Sequence, residues 1–313
     1  FWTPALAAES MNRILSSIMG GWLGVVQPEL QDWAAPLMKA TVEMFFKISN
    51  DLLPTPVKCH YTFNLRDPAK MLQGILMIHV KSCLNTKQDI VNLFLHETCR
   101  QFRDRLIDDT DREWFNTNLA EKLNEQIPGA AKVEKFRDLI YGDFLDRSEK
   151  PYQVVESEQK CSDIFSEWLD DYNTVNPTKM NIVFFRDCIQ HLCRATRVIR
   201  QARGNLLLVG VSGVGRKCVA RLASHMAEMQ CYAIEITRSY GPNDFKEDIK
   251  SMMMGVAKNG GKGMVFLFSD TQIVKESFLE DVNNILNTGE VPNLFAPDEL
   301  EAVIGLMRPL AKA

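Results

Sequence analysis

Leu206-Leu207-Leu208-Val209-Gly210-Val211-Ser212-Gly213-Val214-Gly215-Arg216-Lys217-Cys218 is the stretch on which the reading of this chain turns. An apolar run suited to a buried strand passes into a glycine-rich turn, and a helix-forming segment follows. Strand, tight turn and helix in that order make a phosphate loop. Glycines let the main chain approach an anion, while the free amides and dipole of the helix N-terminus supply positive potential. The candidate nucleotide-binding residues are therefore Gly210, Val211, Ser212, Gly213, Val214, Gly215, Arg216, Lys217 and Cys218. The simpler alternative is a glycine turn that binds nothing.

The loop departs from the pattern GxxxxGK[ST]. With Gly210 and Gly215 as its two fixed glycines, Arg216 stands at the lysine and Lys217 at the Ser/Thr. Arg216 keeps the charge, but a planar fork is not a compact ammonium. Neither Lys217 nor Cys218 offers the hard oxygen that Mg²⁺ prefers. Downstream, Met264-Val265-Phe266-Leu267-Phe268-Ser269-Asp270 is an apolar run ending in an acid, the form of a Walker B strand. Asp270 is the candidate to hold Mg²⁺ or its waters beside the phosphates of ATP or ADP. Hydrolysing AAA+ ATPases usually place Glu next, to polarise the attacking water; here Thr271 follows. General-base assistance is typically worth about 10²- to 10⁴-fold, so binding without efficient turnover is expected. Glu276 and Glu280, on an ensuing helix, read as surface carboxylates.

Around these motifs the pattern changes along the chain. Helices are expected over 5–18, 35–52 and 90–106, with a break at Leu53-Pro54-Thr55-Pro56, an extended stretch at 61–65 and a helix start at Asp67-Pro68. The Asp108 to Asp111 cluster marks an exit from a helix. Residues 126–155 read as a connector, broken at Ile127-Pro128-Gly129 and Gly142. Beyond it, helices at 161–172, 182–199, 219–229, 245–258 and 277–288 are interleaved with strands at 205–209, 232–236 and 264–268. In the helix over 182–199, Phe185, Cys188, Ile189, Leu192 and Thr196 make one face, and Arg186, Arg194, Arg197 and Arg200 read as a solvated or interdomain surface. Strand–helix alternation implies a doubly wound parallel sheet. The fold class is thus an α/β phosphate-loop domain preceded by a mainly helical one, with the division placed at 135/136.

Composition sets limits. The 313 residues are 46% hydrophobic and 24% charged, enough for a real core, and a net charge of −4 with scattered basic residues gives no support for nucleic-acid binding. No apolar run reaches the roughly 18 residues of a membrane helix. The eight cysteines form no CxxC pair, and buried thiols in a reducing compartment are expected rather than zinc. Phe1 in place of an initiator Met, and charges at Glu9 and Arg13, give the expectation that no signal peptide is present and that both ends are cuts in a longer polypeptide.

The strings Met180-Asn181-Ile182-Val183-Phe184-Phe185-Arg186-Asp187, His191-Leu192-Cys193-Arg194, Arg203 through Val211, Phe266 through Ile273, Ser277 through Asp281 and Gly289 through Phe295 resemble the fourth AAA+ module of dynein heavy chains. Asp270-Thr271-Gln272 is similar to the axonemal branch. In the first half, Leu53 through Pro56, His60 through Asp67, Asp104-Arg105-Leu106 and Asp111 through Phe115 resemble the end of the third module. The resemblance implies an AAA+ small domain, mainly helical, over 1–135, and an α/β P-loop AAA+ large domain over 136–313, truncated before its end. It implies a ring of six modules with hydrolysis chiefly in the first, and a stalk with a microtubule-binding tip beyond residue 313. It further implies adjacent modules of the same chain and dynein intermediate and light chains as partners, in the cytoplasm and the axoneme of a cilium or flagellum. Arg66 falls in the sensor-II region, where an arginine can contact the γ-phosphate of the preceding module's nucleotide; its plainer role is an interdomain salt bridge. Two other readings are a module that hydrolyses ATP with Arg216 and a displaced carboxylate, and a free-standing P-loop kinase or GTPase.

Overall fold

The computed structural model describes residues 7–79, 84–130, 139–155, 157–309 and 311. The chain divides into two compact units, Phe1–Cys161 and Ser162–Ala313.

The first unit is a helical assembly. Helix α1 (Ala8–Val26) buries Met11, Leu15, Met19 and Leu23, four residues apart and hence on one face. That face packs on α2 (Ala34–Asp51), which buries Leu37, Met38, Thr41, Met44, Phe45 and Ile48. Full burial of a Leu or Met side chain is worth about 1.5–3 kcal/mol, so this seam is a principal source of cohesion. Helix α3 (Arg66–Leu76) packs on α4 (Lys87–Gln101), whose start is fixed by a capping box between Thr86 and Asp89. At Phe102 α4 gives way to a 3-10 turn, Arg103–Arg105, earlier than the expected end at 106. Helix α5 (Asp109–Gln126) follows where only an acidic exit was expected. Its core residues Phe115, Leu119 and Leu123 are diluted by polar neighbours, while Asp109 and Asp111 in its first turn favour the positive end of the helix dipole.

Charged contacts hold the loops of this unit. Asp67 is buried and its Oδ1 accepts from Arg105 Nη2 at 2.6 Å and from Gln101 Nε2 at 2.8 Å, while Oδ2 accepts the Asn64 amide. Arg105 also donates to the Thr62 carbonyl and lies 4.9 Å from the Phe63 ring centre. Lys58 lies 2.5 Å from both Asp108 and Asp111, and the buried Tyr61 hydroxyl donates to Asp111 at 2.8 Å. The proline break at 53–56 is thus followed by a segment anchored by side chains, with no ladder bonds in the extended stretch.

The expected connector is more ordered than its composition indicates. Strand β1 (Tyr141–Gly142) pairs antiparallel with β2 (Gln153–Val154), and Tyr141 and Tyr152 join the same core as α1 to α5. Tyr152 accepts the His79 amide through its carbonyl at 3.0 Å and donates its hydroxyl to the buried Glu97 at 2.7 Å. His96 Nδ1 donates to the Leu139 carbonyl at 3.0 Å. For this reason the packing division falls after Cys161.

The second unit begins within α6 (Glu158–Val175) and continues with α7 (Arg186–Arg200), α8 (Arg216–Met226), β3 (Gln230–Tyr232), α9 (Pro242–Lys258), β4 (Met264–Phe266), α10 (Ser277–Asn287) and α11 (Pro297–Met307). Strands β3 and β4 are parallel, with Gln230 opposite Met264 and Tyr232 opposite Phe266. With α9 between them they form a βαβ unit, whose core includes Ile234, Tyr240, Phe245, Ile249, Phe278 and Val291. The rings of Phe245 and Phe278 stack at 4.4 Å. Asp248 on α9 accepts from Tyr232 Oη at 2.8 Å and from Tyr240 Oη, so one carboxylate ties β3, its following loop and the crossover helix. Lys250 reaches Glu299 on α11 at 2.6 Å.

Several expectations are corrected. Residues 205–209 form no strand: they run without a ladder partner, and Leu207 and Val209 are each 84% exposed. An all-apolar run records suitability for burial on both faces, but its hydrogen bonds and cover must come from distant segments. In α7, Phe185 is 60% exposed and Arg197 only 5% exposed, so the buried face is Ile189, Leu192, Cys193, Ala195, Thr196 and Arg197. Strands β3 and β4 are shorter than expected, and α11 was not expected. Cys99, Cys161 and Cys193 are buried, but Cys188, Cys218 and Cys231 are half-buried and Cys59 is exposed; Cys83 lies outside the described residues. No helix among the described residues is long and apolar enough to cross a membrane.

Replacing Arg105 by Ala removes the cation from a buried carboxylate that keeps its other two donors. The expected cost is roughly 2–3 kcal/mol, read as an approximately 30- to 150-fold faster amide exchange across α3. A second test concerns the Asp248 cluster. Burial first, and then the Asp248 carboxylate, push the Tyr232 phenol up to about 12 and raise that of Tyr240 as well. A folded pKa above the ordinary value of about 10 contributes stability that is complete below pH 10. That contribution is lost as pH rises through the folded value. Ultraviolet titration is expected to show the Tyr232 phenol ionising near pH 12, and Tyr240→Phe to cost about 1–2 kcal/mol in urea unfolding.

Candidate functional site: a glycine turn and an acid-ended strand

The phosphate-loop sequence takes the conformation its glycines permit. Gly213 and Gly215 have φ of +86° and +81°, a region costly for residues with a Cβ, and Gly215 serves as the left-handed N-cap of α8. A Cβ on Gly210 would come within 3.2 Å of Val214 Cγ2, so the turn is also tight. The Gly215 carbonyl accepts the Val219 amide at 2.9 Å, and no side chain caps the first turn. The leading amides of α8 are therefore left for solvent or an anion. Ala220, Leu222, Ala223 and Met226 anchor the other face of α8, which packs against α7.

Within the loop Val211, Ser212, Gly213, Val214 and Lys217 are exposed, whereas Gly215, Arg216 and Cys218 are half-buried. Arg216 thus opens the helix as a partly covered cation. Cys218 faces the neighbourhood of Cys188, whose thiol is raised by burial and, secondarily, by Cys218. Upstream, the Asn173 carboxamide on α6 clamps Met180 through both backbone groups, donating to its carbonyl at 2.8 Å and accepting its amide at 2.7 Å. This contact fixes the segment leading into α7, and residue spacing gave no sign of it.

Asp270 is exposed and opens a 3-10 turn, Asp270–Gln272, just beyond β4. Its Oδ1 accepts the Thr271 amide at 2.9 Å. Thr271 Oγ1 lies 3.0 Å from Ser269 Oγ, so the residue after Asp270 carries a hydroxyl engaged with its own turn. Glu276 and Glu280 are exposed. Among the described residues no hydrogen bond or ion pair joins Gly210–Cys218 to Asp270, and the run 205–209 lies outside the ladder that carries Asp270. Each half of the motif is built separately.

The loop's open amides, left-handed glycines and half-buried Arg216 fit a polyphosphate. They fit Mg²⁺ less well, because positions 217 and 218 present an ammonium and a thiol, leaving Asp270 as the hard-oxygen donor of the motif. No group of three or more His, Cys, Asp or Glu placed to hold a metal occurs among the described residues. Arg66 is the exposed first residue of α3; its amide donates to Asn64 Oδ1 at 2.9 Å, and its guanidinium has no carboxylate partner among the described residues. The ion pair beside it, between buried Asp67 and half-buried Arg105, is what fixes this helix start.

Residues 37–128 match the family described as the AAA+ lid domain, and residues 180–313 match the P-loop containing dynein motor region D4. The chain is 42% identical over 96% of its length to dynein axonemal heavy chain 1 of Rattus norvegicus. It is 44% identical over 99% to dynein axonemal heavy chain 6 of Homo sapiens. To the dynein-1-beta heavy chain, flagellar inner arm I1 complex, of Chlamydomonas reinhardtii it is 41% identical over 97%. It spans 7–8% of the length of these relatives. An AAA+ lid followed by a glycine-turn domain of the D4 type, with axonemal relatives along nearly all its length, places the chain in the dynein heavy chain family, among its axonemal members.

Proposed function

We propose that this chain forms part of the AAA+ ring of an ATP-driven microtubule motor of cilia and flagella, and that its own nucleotide site binds ADP or ATP without efficient hydrolysis. The observation that carries the second part is Thr271. The residue after the Walker B acid is a hydroxyl held near Ser269, where a carboxylate would be needed to polarise water. The missing hydroxyl at 217 and 218 weighs in the same direction.

In this reading the backbone amides of Gly213 to Cys218 and the Arg216 guanidinium hold the phosphates, and Asp270 offers the motif's one carboxylate to a hydrated Mg²⁺ if one accompanies the nucleotide. The bound nucleotide braces the module, so that movement generated at the hydrolysing module passes through a stiff element toward a stalk outside residues 1–313. Adjacent AAA+ modules of the same chain are the nearest partners. The microtubule is reached through the stalk, and intermediate and light chains join the same assembly in the cytoplasm and axoneme. Arg66 serves the nucleotide of the preceding module as its sensor-II residue, with the module boundary at 135/136.

Purified full-length protein is expected to retain nucleotide at Gly210–Cys218, visible as density at that loop in a map of the intact ring. Arg216→Ala should lower occupancy there by roughly tenfold, equivalent to about 1.4 kcal/mol. Asp270→Asn should leave the steady-state ATPase rate unchanged. An empty loop would remove the retained-nucleotide reading, and a fall in ATPase rate on Asp270→Asn would establish that this module turns over ATP.

A further inference from the structure

The strand ends beside Asp270 are joined by an unusual contact. The last ladder bond of the parallel pair runs from the Leu267 amide to the Tyr232 carbonyl at 2.8 Å. Continued in register, the next bond donated from the β4 side would run from the Ser269 amide to the Ile234 carbonyl. That bond is replaced by the Gln272 side chain. Ser269 N donates to Gln272 Oε1 at 2.7 Å, and Gln272 Nε2 donates to the Ile234 carbonyl at 2.6 Å. The two partners fix the orientation of the carboxamide, since an amide N–H requires the oxygen and a carbonyl requires the NH₂. Ser269 Oγ also donates to Oε1, at 3.0 Å, so its contact with Thr271 Oγ1 is one in which threonine donates.

From this geometry we infer that Gln272 is a positioning residue: its carboxamide is an inserted rung that spaces the carboxyl ends of β3 and β4 and thereby places Asp270. Ligands of parallel α/β sheets bind outside the carboxyl ends of the strands, so the width of this rung sets how far the Asp270 carboxylate stands from the neighbouring strand. The same rung commits the Thr271 hydroxyl proton to Ser269. The inference rests on the reading above that Asp270 offers its carboxylate to any Mg²⁺ that accompanies the nucleotide, and it adds the residue that holds Asp270 in place.

The test compares Gln272→Ala, Gln272→Glu and Asp270→Asn in the full-length protein, with two readouts. One is amide exchange over 268–273, corrected for intrinsic rates. The other is the change in nucleotide occupancy at Gly210–Cys218 when Mg²⁺ is replaced by a chelator. Gln272→Ala is expected to speed exchange at Ser269 by roughly tenfold or more, and to shift the Mg²⁺ dependence as Asp270→Asn does. Gln272→Glu should lose protection at neutral pH, where a carboxylate oxygen faces the Ile234 carbonyl. It should regain protection in acid near the ordinary carboxyl range of about 4–5, where the protonated group donates again. Unchanged exchange in Gln272→Ala overturns the rung. Faster exchange with an unaltered Mg²⁺ dependence, where Asp270→Asn does alter it, overturns the positioning role. If Asp270→Asn itself leaves the Mg²⁺ dependence unchanged, the assignment of Asp270 falls, and the role of Gln272 toward nucleotide falls with it even where exchange confirms the rung.

Discussion

Parallel strands do not pair through a tight turn; their hydrogen-bond partners are reached by a crossover, and the second unit is arranged by that requirement. Strands β3 and β4 satisfy each other only because α9 carries the chain back over 31 intervening residues, from Tyr232 to Met264. Asp248 on that helix accepts from two tyrosines of the opening strand and its loop, which couples the crossover to the ladder. Where the ladder ends, Gln272 supplies a side-chain rung, and Asp270 sits on the turn it closes. The acid of the motif is thus placed by the hydrogen bonding of residues that do not themselves carry its chemistry.

The glycine turn rests on a different support. Its shape is local, set by two left-handed glycines and by the start of α8, and its stability comes from the apolar face of α8 against α7. This division lets the turn keep its shape whatever side chains stand at 217, 218 and 271. The left-handed glycines and the helix amides bind an anion through the main chain, which is indifferent to whether position 217 is Ser or Lys. In the first unit the division recurs: helix faces make the core, while Asp67 with Arg105, and Lys58 with Asp108 and Asp111, fix the loops between helices.

Helices with a dense apolar period were legible in sequence, as with Met11, Leu15, Met19 and Leu23. Helix α5 was not, because Phe115, Leu119 and Leu123 are spaced correctly but outnumbered by polar residues. The tie between Tyr152 and Glu97 joins residues 55 positions apart, and no local pattern announces it. At the candidate site, Gly210 through Cys218, Asp270 and Thr271 could be proposed from sequence because the chemistry expected of them depends on residue type at fixed spacing. Gln272 and Asn173 could not, because a carboxamide that substitutes for a backbone group looks in sequence like any other polar side chain.

By itself, then, the sequence determined the kinds of parts: a helical lid, a glycine turn opening a helix, and an apolar strand ending in an acid with no base beside it. These follow from periodicity and residue chemistry, which act over a few positions. Only the tertiary structure decided which apolar runs are paired and covered, leaving Leu207 and Val209 exposed while 264–266 is in a ladder. It also decided that Arg197 is inside and Phe185 outside, and that the strand ends at Asp270 are spaced by an inserted carboxamide. Those outcomes depend on hydrogen-bond partners and contacts tens of residues away, and a local pattern of polarity carries no record of which distant group will supply them.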